Sequence, residues 1–263
     1  MQESSETQQF IEKLLKSNSG KALNIVVLTG AGISVESGLK TFRGEDGLWC
    51  GERVENVATP EAFVRDPALV HKFYNERRSE LDRDDVASNA AHKALAELQQ
   101  KWSGDVTLVT QNIDNLHESG GADDVIHMHG EVCKSFCISC YKKIEQKGDS
   151  FVDDVCPGCD KKGGIRPDIV WFGEMPYHMD RIENKLASSD LFISIGTSGN
   201  VYPAAGFVLM ATHAEAQTLE INLEPSMNAS AFSHGMYGPA SQEVPHFIEL
   251  LFETQKIKQE NNL

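Results

Sequence analysis

The sequence is poor in positive charge and lacks a long apolar segment. It has 24 Lys and Arg residues against 39 Asp and Glu residues, a formal net charge of −15. Binding to nucleic acid or anionic lipid needs a basic surface, so this charge disfavours both as partners. No apolar run approaches the roughly 18 residues of a membrane helix. No arginine precedes Arg43 and the first residues are acidic, which disfavours a targeting segment and predicts a cytoplasmic protein.

The chain has six cysteines, and four of them form two C-x2-C pairs. The pairs are Cys137–Cys140 and Cys156–Cys159, separated by 15 residues. This is the spacing of a zinc ribbon. Four thiolates complete the coordination of a tetrahedral zinc, so the pattern predicts a structural metal without a substrate position. Chance or redox-active pairs are the alternative, and Cys50 and Cys133 are interpreted as ordinary thiols.

A glycine-rich turn follows a short apolar run near the N-terminus. The run, Ile25–Leu28, has the composition of a strand buried on both faces, and Gly30 and Gly32 follow it. Glycines let backbone N–H groups approach a pyrophosphate, and a helix starting near Ile33 would direct its positive end at the anion. The acidic residue that binds ribose in a dehydrogenase does not follow a second strand here. The turn therefore predicts a dinucleotide site without hydride transfer, with plain packing as the alternative.

Four apolar runs with helical patterns between them indicate the fold class. They predict strands at 24–29, 105–110, 190–195 and 217–222. Strands that alternate with helices form a parallel sheet, so we predict an α/β, doubly wound, mostly parallel (Rossmann-like) sheet interrupted by the ribbon. Phe10, Ile11, Leu14 and Leu15 have the spacing of a docking helix, and a last helix is predicted at Val244–Phe252.

Polar or glycine-rich segments follow three of these strands, and open α/β sheets bind ligands at the carboxyl ends of strands. The segments are Gln111–Asn115, Gly196–Gly199 and Asn222–Glu224. The second suits a phosphate and the third suits ribose hydroxyls. For the first, a loop that merely caps a helix is the alternative.

Two histidines lie two residues apart in the extended run Val125–Gly130. His127 and His129 would then share a face, an arrangement that suits a metal. A packed hydrogen-bond network is the alternative. The glycine after His129 would leave the ring of His129 open to a ligand.

Two helix starts precede a Tyr-x-x-Arg sequence. Thr59 and Asp66 are each followed by proline, the pattern of a cap and first helical residue. Tyr74 and Arg77 are three residues apart, so they share a helix face. From spacing alone, a packed Tyr74 and an Arg77 paired with Glu80 are the simplest interpretation.

The chain resembles the sirtuins, which are NAD-dependent protein-lysine deacylases. The matching blocks are GAGIS-x-x-SG at 30–38, TFRG at 41–44, TQNID-x-LH at 110–117, HG at 129–130, the two C-x2-C pairs, FGE at 172–174, GTS at 196–198 and NLE at 222–224. The resemblance covers roughly 20–255 and is strongest to the branch that removes acidic acyl groups. It implies a helical extension at 1–19, a catalytic domain at 20–255 and a polar tail at 256–263. Within the domain it implies a ribbon insertion at about 131–168 and a helical acyl-pocket module at about 40–85.

The resemblance also implies roles for individual residues. His129 would be the general base, and Asn112, with Asp114, would line the nicotinamide pocket. The four cysteines would bind one zinc, and NAD would be a co-substrate. The implied NAD-binding residues are Gly30, Ala31, Gly32, Ile33, Ser34, Phe42, Arg43, Trp49, Gln111, Asn112, Ile113, Asp114, Gly196, Thr197, Ser198, Asn222, Leu223, Glu224 and Ala240. The implied peptide-binding residues are Val170, Phe172, Gly173 and Glu174.

In the acidic-acyl branch, a Tyr-x-x-Arg pair binds the distal carboxylate of succinyl- or malonyl-lysine. The resemblance therefore implies that Tyr74 and Arg77 bind this carboxylate here. Ala58 matches the small residue that leaves room for the longer chain. Because a charged hydrogen bond contributes about 1.5–3 kcal/mol, we expect a preference of roughly tenfold to a few hundredfold, with deacetylation retained. The expected products are lysine, nicotinamide and acyl-ADP-ribose.

Three other functions remain open at the level of sequence. The first is a plain deacetylase in which Arg77 is structural, and the second is transfer of ADP-ribose to protein. The third is a non-enzymatic, NAD-sensing or zinc-ribbon interaction module. The expected partners are acyl-lysine proteins or peptides, and we expect a monomer, although no sequence feature fixes the oligomeric state.

Overall fold

The structure is a computed structural model that describes residues 2–18, 22–40 and 48–261. The helices are α1 (Gln2–Ser17), α2 (Val54–Val57), α3 (Pro60–Arg65), α4 (Pro67–Leu81), α5 (Ala90–Lys101), α6 (Leu116–Ser119), α7 (Met179–Ala187), α8 (Phe207–His213) and α9 (Ala240–Asn261). The strands are β1 (Ile25–Thr29), β2 (Leu48–Trp49), β3 (Glu52–Arg53), β4 (Val106–Thr110), β5 (Ile126–His127), β6 (Gly130–Cys137), β7 (Lys143–Glu145), β8 (Ile165–Ile169), β9 (Leu191–Ile195), β10 (Gln217–Asn222) and β11 (His234–Tyr237).

A parallel sheet of six strands in the order β11-β10-β9-β1-β4-β5 forms the larger part of the molecule. The chain runs outward from β1 through β4 to β5 and then returns to β9 on the other side of β1. The strand order therefore reverses between β1 and β9, and in open α/β sheets this reversal creates a ligand crevice. Thr29 pairs with Thr110 on one side and Ile195 on the other, so three loops begin at the same edge. The predicted doubly wound sheet is confirmed.

The sheet is buried on both faces because its strands are almost wholly apolar. Ile25 and Val27 point into a core shared with α1, α5 and α9. Val26 and Leu28 point into a second core shared with α7 and α8. Successive side chains of a strand point to opposite faces, which explains why a continuous apolar run is needed here.

The first and last helices pack against each other. Phe10, Ile11 and Leu14 of α1 are buried in the same core as Leu251 of α9. Helix α9 begins at Ala240 rather than at the predicted residue 244, and it continues to Asn261. Its earlier start has a visible cause, since the Glu36 carboxylate accepts hydrogen bonds from the backbone N and the Oγ of Ser241.

A smaller module lies beside the sheet and combines the ribbon with the helices α2, α3 and α4. Its sheet is antiparallel, in the order β7-β6-β8. Helices α3 and α4 begin at the predicted caps, because Thr59 and Asp66 accept hydrogen bonds from Ala62 N and Leu69 N. Tyr74 and Trp171 are central to the apolar core of this module. Every helix in the described part of the chain is too short or too polar to cross a lipid bilayer.

Candidate active site

A cavity of about 790 Å³ lies at the carboxyl edge of the parallel sheet and extends to the smaller module. Loops that follow β1, β4, β9 and β10 supply one part of its wall, and α4 with the segment after β8 supplies the other. We call the part near Ser34, Asn112 and Asp114 the sheet end, and the part near Ala58, Tyr74 and Arg77 the α4 end. The cavity therefore joins most of the residues that the sequence singled out.

The two glycine turns that were predicted to hold phosphate pack directly on each other. Gly32 N donates to Gly196 O at 2.9 Å. A Cβ at Gly32 would lie 2.7 Å from Gly196 Cα, and one at Gly30 would lie 2.8 Å from Gly196 O. Gly196 itself has a φ of +62°, which favours glycine. These glycines thus permit close packing of two loops as well as an open backbone at the cavity.

The turn after β1 leads into a 3-10 helix at Ala31–Ser37 rather than an α-helix. Ala31 and Ser34, two of the predicted NAD-binding residues, line the cavity. Ile33 does not, because its side chain is fully buried in the sheet core. The side chain of Ile33 therefore does not reach the cavity, and its backbone N–H already donates to Gly30 O at 3.2 Å.

Three polar side chains form a continuous hydrogen-bonded chain at the sheet end. Asn112 Nδ2 donates to Gly30 O and to Ser34 Oγ, both at 3.1 Å, and Ser34 Oγ donates to Asp114 Oδ2 at 3.1 Å. The other Asp114 oxygen accepts from Leu116 N at 3.1 Å. Burial raises the pKa of the Asp114 carboxyl, and these hydrogen bonds oppose that effect. The group is fixed before any ligand arrives.

His129 lies on the cavity wall with a defined tautomer. Its Nδ1 is 3.2 Å from Gln111 O, and because a carbonyl only accepts, Nδ1 carries the proton and Nε2 is the basic atom. Burial lowers the pKa of His129, although the hydrogen bond to Gln111 opposes it. The imidazole is therefore neutral near pH 7 and able to accept a proton.

His127 is turned away from His129, so the predicted shared face is wrong. Its Nε2 contacts Glu118 Oε1 at 2.7 Å, and its Nδ1 contacts Asn112 O at 3.3 Å. The alternation of a strand stops at His127, where β5 ends, and Gly130 has a φ of +84°. His127 belongs to the packed network that was the alternative to a metal site.

The α4 end of the cavity contains Tyr74, Arg77 and Ala58, all lining it. Tyr74 is fully buried, and its hydroxyl accepts from Trp171 Nε1 at 2.9 Å. Arg77 Nη2 donates to Glu80 Oε1 at 3.1 Å. Arg77 Nε and Nη1 are buried and have no hydrogen-bond partner among the residues that the structure describes. The pairing with Glu80 agrees with the simplest sequence interpretation, yet the guanidinium keeps unused donors.

The segment after β8 forms the wall between the two ends. Val170 N donates to His129 O at 2.9 Å, and Phe172 N donates to Ala58 O at 3.0 Å. Gly173 has a φ of +90° and is exposed. Glu174 forms two hydrogen bonds to Arg166, at 2.8 and 3.0 Å, and accepts one from Trp171 N at 2.9 Å. Its carboxylate is therefore engaged within the protein.

The remaining predicted NAD-binding residues within the described ranges also line the cavity. They are Trp49, Gln111, Ile113, Thr197, Ser198, Asn222, Leu223, Glu224 and Ala240. Asn222 Nδ2 donates to Thr197 O at 2.7 Å, which joins the loops after β9 and β10. Phe42 and Arg43 lie outside the described residues.

The four predicted metal ligands come together in the ribbon. Their sulfur atoms lie within 4.8 Å of one another. Two of the distances, Cys137 Sγ to Cys159 Sγ at 3.7 Å and Cys140 Sγ to Cys156 Sγ at 3.6 Å, match the edge of about 3.8 Å expected for a tetrahedron with Zn–S bonds of about 2.3 Å. Ser139 N and Gly158 N point at Cys137 Sγ and Cys156 Sγ. The site fits one structural zinc.

A family model described as the Sir2 family matches residues 30–203. The chain belongs to the Sir2 family. This sirtuin is 55% identical over 230 residues to an NAD-dependent protein deacylase of Bdellovibrio bacteriovorus, with 88% of this chain and 97% of the relative covered.

Two solved sirtuin structures share the fold. A variant of a Sir2 homologue in complex with ADP-ribose superposes with a TM-score of 0.83 at 34% identity, covering 93% of this chain and 98% of the other. Sir2Af2 bound to a myristoylated histone peptide has a TM-score of 0.71 at 27% identity, covering 97% of this chain and 99% of the other.

Several lining residues of this sirtuin were not found from the sequence. They are Cys50, Glu80, Leu81, Val132, Ile169, Pro176, Val201, Tyr202, Pro225, Ser226, Met227 and Pro239. Most lie one or two residues beyond a predicted segment, so extending each motif by one turn would have included them. Tyr202 lies four residues beyond Ser198, in the loop that leads to α8, where the sequence gives no such signal.

Proposed function

We propose that this sirtuin removes acyl groups from protein lysines in an NAD-dependent reaction, and that it accepts succinyl and malonyl groups as well as acetyl groups. The observation that carries the proposal is the single cavity that contains the glycine turns, His129 and Arg77. Its volume of about 790 Å³ lies within the range of roughly 300–1,000 Å³ typical of small-molecule sites.

The sheet end suits a dinucleotide. Exposed Ser198 and the open backbone of the two glycine turns would face the pyrophosphate. Asn222 and Glu224, at the end of β10, would meet ribose hydroxyls, while Asn112 and Asp114 would border the nicotinamide. Bound NAD supplies an electrophilic C1′ on the nicotinamide ribose, with nicotinamide as the leaving group.

The protein contributes positioning and one proton acceptor. Asn112 and Asp114 are held by Ser34, Gly30 and Leu116, so they do not reorganise during the reaction. His129 accepts a proton from a ribose hydroxyl at Nε2, and its lowered pKa keeps that atom unprotonated near neutrality. The exposed Gly173 and Phe172 would border the peptide, while Glu174 supports that segment through Arg166.

The α4 end suits an acyl group that carries a carboxylate. Arg77 is nearly buried, it faces the cavity, and two of its nitrogen atoms have no partner within the described ranges. A guanidinium matches a carboxylate with two parallel hydrogen bonds. The ion pair between Arg77 and Glu80 is the observation that favours the second candidate, a plain deacetylase.

Matched peptides test the proposal. Turnover of succinyl-lysine and acetyl-lysine in one peptide sequence is measured before and after Arg77→Met, with mass spectrometry of the products. We expect succinyl turnover to fall by roughly tenfold to a few hundredfold, acetyl turnover to change far less, and acyl-ADP-ribose to form. An unchanged ratio would leave the plain deacetylase. ADP-ribose attached to the peptide would indicate transfer to protein, and no nicotinamide release would indicate a binding module.

A further inference from the structure

Arg77 is held by acidic residues of its own helix. Its Nη2 lies 3.1 Å from Glu80 Oε1 and 3.6 Å from Glu76 Oε2. Its guanidinium carbon lies 4.8 Å from the centroid of the Phe73 ring. The cation is therefore placed by one aromatic face and two carboxylates before any substrate enters.

Glu80 is the stronger of the two acidic neighbours. Its side chain is 22% exposed and that of Arg77 is 11% exposed, so water screens this pair weakly. Glu76 is 51% exposed, lies farther from Arg77, and also faces Lys72 at 4.0 Å. Glu80 lines the same cavity as Arg77, which places its charge where the end of an acyl chain would lie.

Glu80 contacts the nitrogen atom that a bound carboxylate would need. A guanidinium offers two faces for a pair of parallel hydrogen bonds, one formed by Nε with Nη2 and the other by Nη1 with Nη2. Both faces include Nη2, each through a different one of its two hydrogens, and Glu80 accepts one of these. Nε and Nη1 are the two atoms without partners in the described structure. An acidic acyl group that binds Arg77 through two bonds thus meets the carboxylate of Glu80 at the shared nitrogen.

We propose that Glu80 determines how strongly this sirtuin prefers acidic acyl groups, by competing with the substrate carboxylate for Arg77. The inference rests on the acidic-acyl function proposed above. A succinyl or malonyl group must displace Glu80 or accept a like charge beside it, whereas an acetyl group does neither. Glu80 therefore lowers the ratio of kcat/KM for acidic over neutral acyl groups. As a result, the enzyme can turn over both classes of substrate.

The variant Glu80→Gln tests this competition, because it removes the charge and keeps the shape of the side chain. We expect the ratio of kcat/KM for succinyl over acetyl peptide to rise by about tenfold, mainly through a lower KM for the succinyl peptide. The matched control is Glu97→Gln, an exposed residue of α5 that pairs with Lys101 outside the cavity. It should leave the ratio unchanged.

The same change in an Arg77→Met background separates this inference from the proposed function. There the effect of Glu80→Gln on the ratio should disappear, since the competing partner is gone. If Arg77→Met lowers the ratio but Glu80→Gln leaves it unchanged or lowers it, the competition is refuted and the acidic-acyl function stands. If Arg77→Met alone leaves the ratio unchanged, the acidic-acyl function fails whatever Glu80→Gln does. Thermal melting of each variant confirms that the protein remains folded.

Discussion

At the sheet end of the cavity, Asn112, Ser34 and Asp114 bond to one another and to the backbone, whereas at the α4 end Arg77 retains two buried nitrogen atoms without partners in the described residues. Leaving a buried donor unpaired costs free energy. The polar side chains of the sheet end are therefore satisfied without a ligand, whereas the α4 end keeps donors that the carboxylate of the proposed acidic acyl group would satisfy. Under the proposed function, the sheet end would hold the reacting groups in a fixed geometry and the α4 end would select the acyl group.

Removal of the metal should produce the largest difference between the two ends of the cavity, because it should affect the α4 end and leave the sheet end intact. The ribbon supports α4 through Arg78, which donates to Val132 O and Gly148 O at 3.0 Å. Because ligand thiolates repel one another and the ribbon has a small core, we expect chelation to unfold the ribbon and to abolish peptide turnover. The sheet has its own cores, so calorimetry should still detect NAD binding. Loss of NAD binding together with turnover would show that the regions are not independent.

Removal of the proposed base should have the next largest effect. General base catalysis contributes about 10²–10⁴-fold, so His129→Ala should lower kcat for succinyl and acetyl peptides alike by that factor. His246→Ala, at an exposed position of α9, is the matched control. If kcat fell for only one of the two acyl peptides, His129 would contribute to acyl selection rather than to the reaction common to both.

The free energy of unfolding should respond differently to substitutions at the sheet end and at the α4 end. Asp114→Ala leaves the donors of Ser34 and Leu116 without their acceptor, which should lower the free energy of unfolding by about 1–3 kcal/mol. Arg77→Met removes the hydrogen bond to Glu80 together with two buried donors that lack partners, so the two effects oppose each other and the loss should be smaller than about 1 kcal/mol. Urea unfolding of both variants without ligand checks the difference. Equal losses would contradict it.

The pH dependence of turnover should follow the environment of His129. Burial lowers the pKa of this imidazole, and the reaction needs its neutral form. Turnover should therefore stay level above the ordinary value of about 6.5 and fall only below it, by about tenfold per pH unit, for both acyl groups. An acid limb centred above 6.5 would argue against His129 as the base.

Local sequence patterns were sufficient wherever one segment determines its own structure. The apolar run Ile25–Leu28 predicts a strand, and the spacing of the cysteine pairs predicts the ribbon, because each depends on neighbouring residues alone. The contact between Gly32 and Gly196 was not predicted, since it joins loops far apart in the sequence.

Three differences between the sequence predictions and the structure have physical causes that the periodicity of apolar residues does not reveal. Ile33 turns into the core because a 3-10 helix, not an α-helix, follows β1. His127 and His129 do not share a face because β5 ends at His127, before the alternation reaches His129. Ser241 starts α9 early because a distant carboxylate, that of Glu36, satisfies its N–H.

The N-terminal helix has a practical consequence for handling the protein. Strand β11 is an outer strand of the large sheet, and its first residue, His234, stacks on Phe10 at 4.9 Å and contacts Thr7 Oγ1 at 3.0 Å. An uncovered outer strand invites chains to join edge to edge. A shortened protein that lacks α1 would expose that strand and the apolar surface of α9. A fusion tag should therefore be added in front of α1 and should not replace this helix.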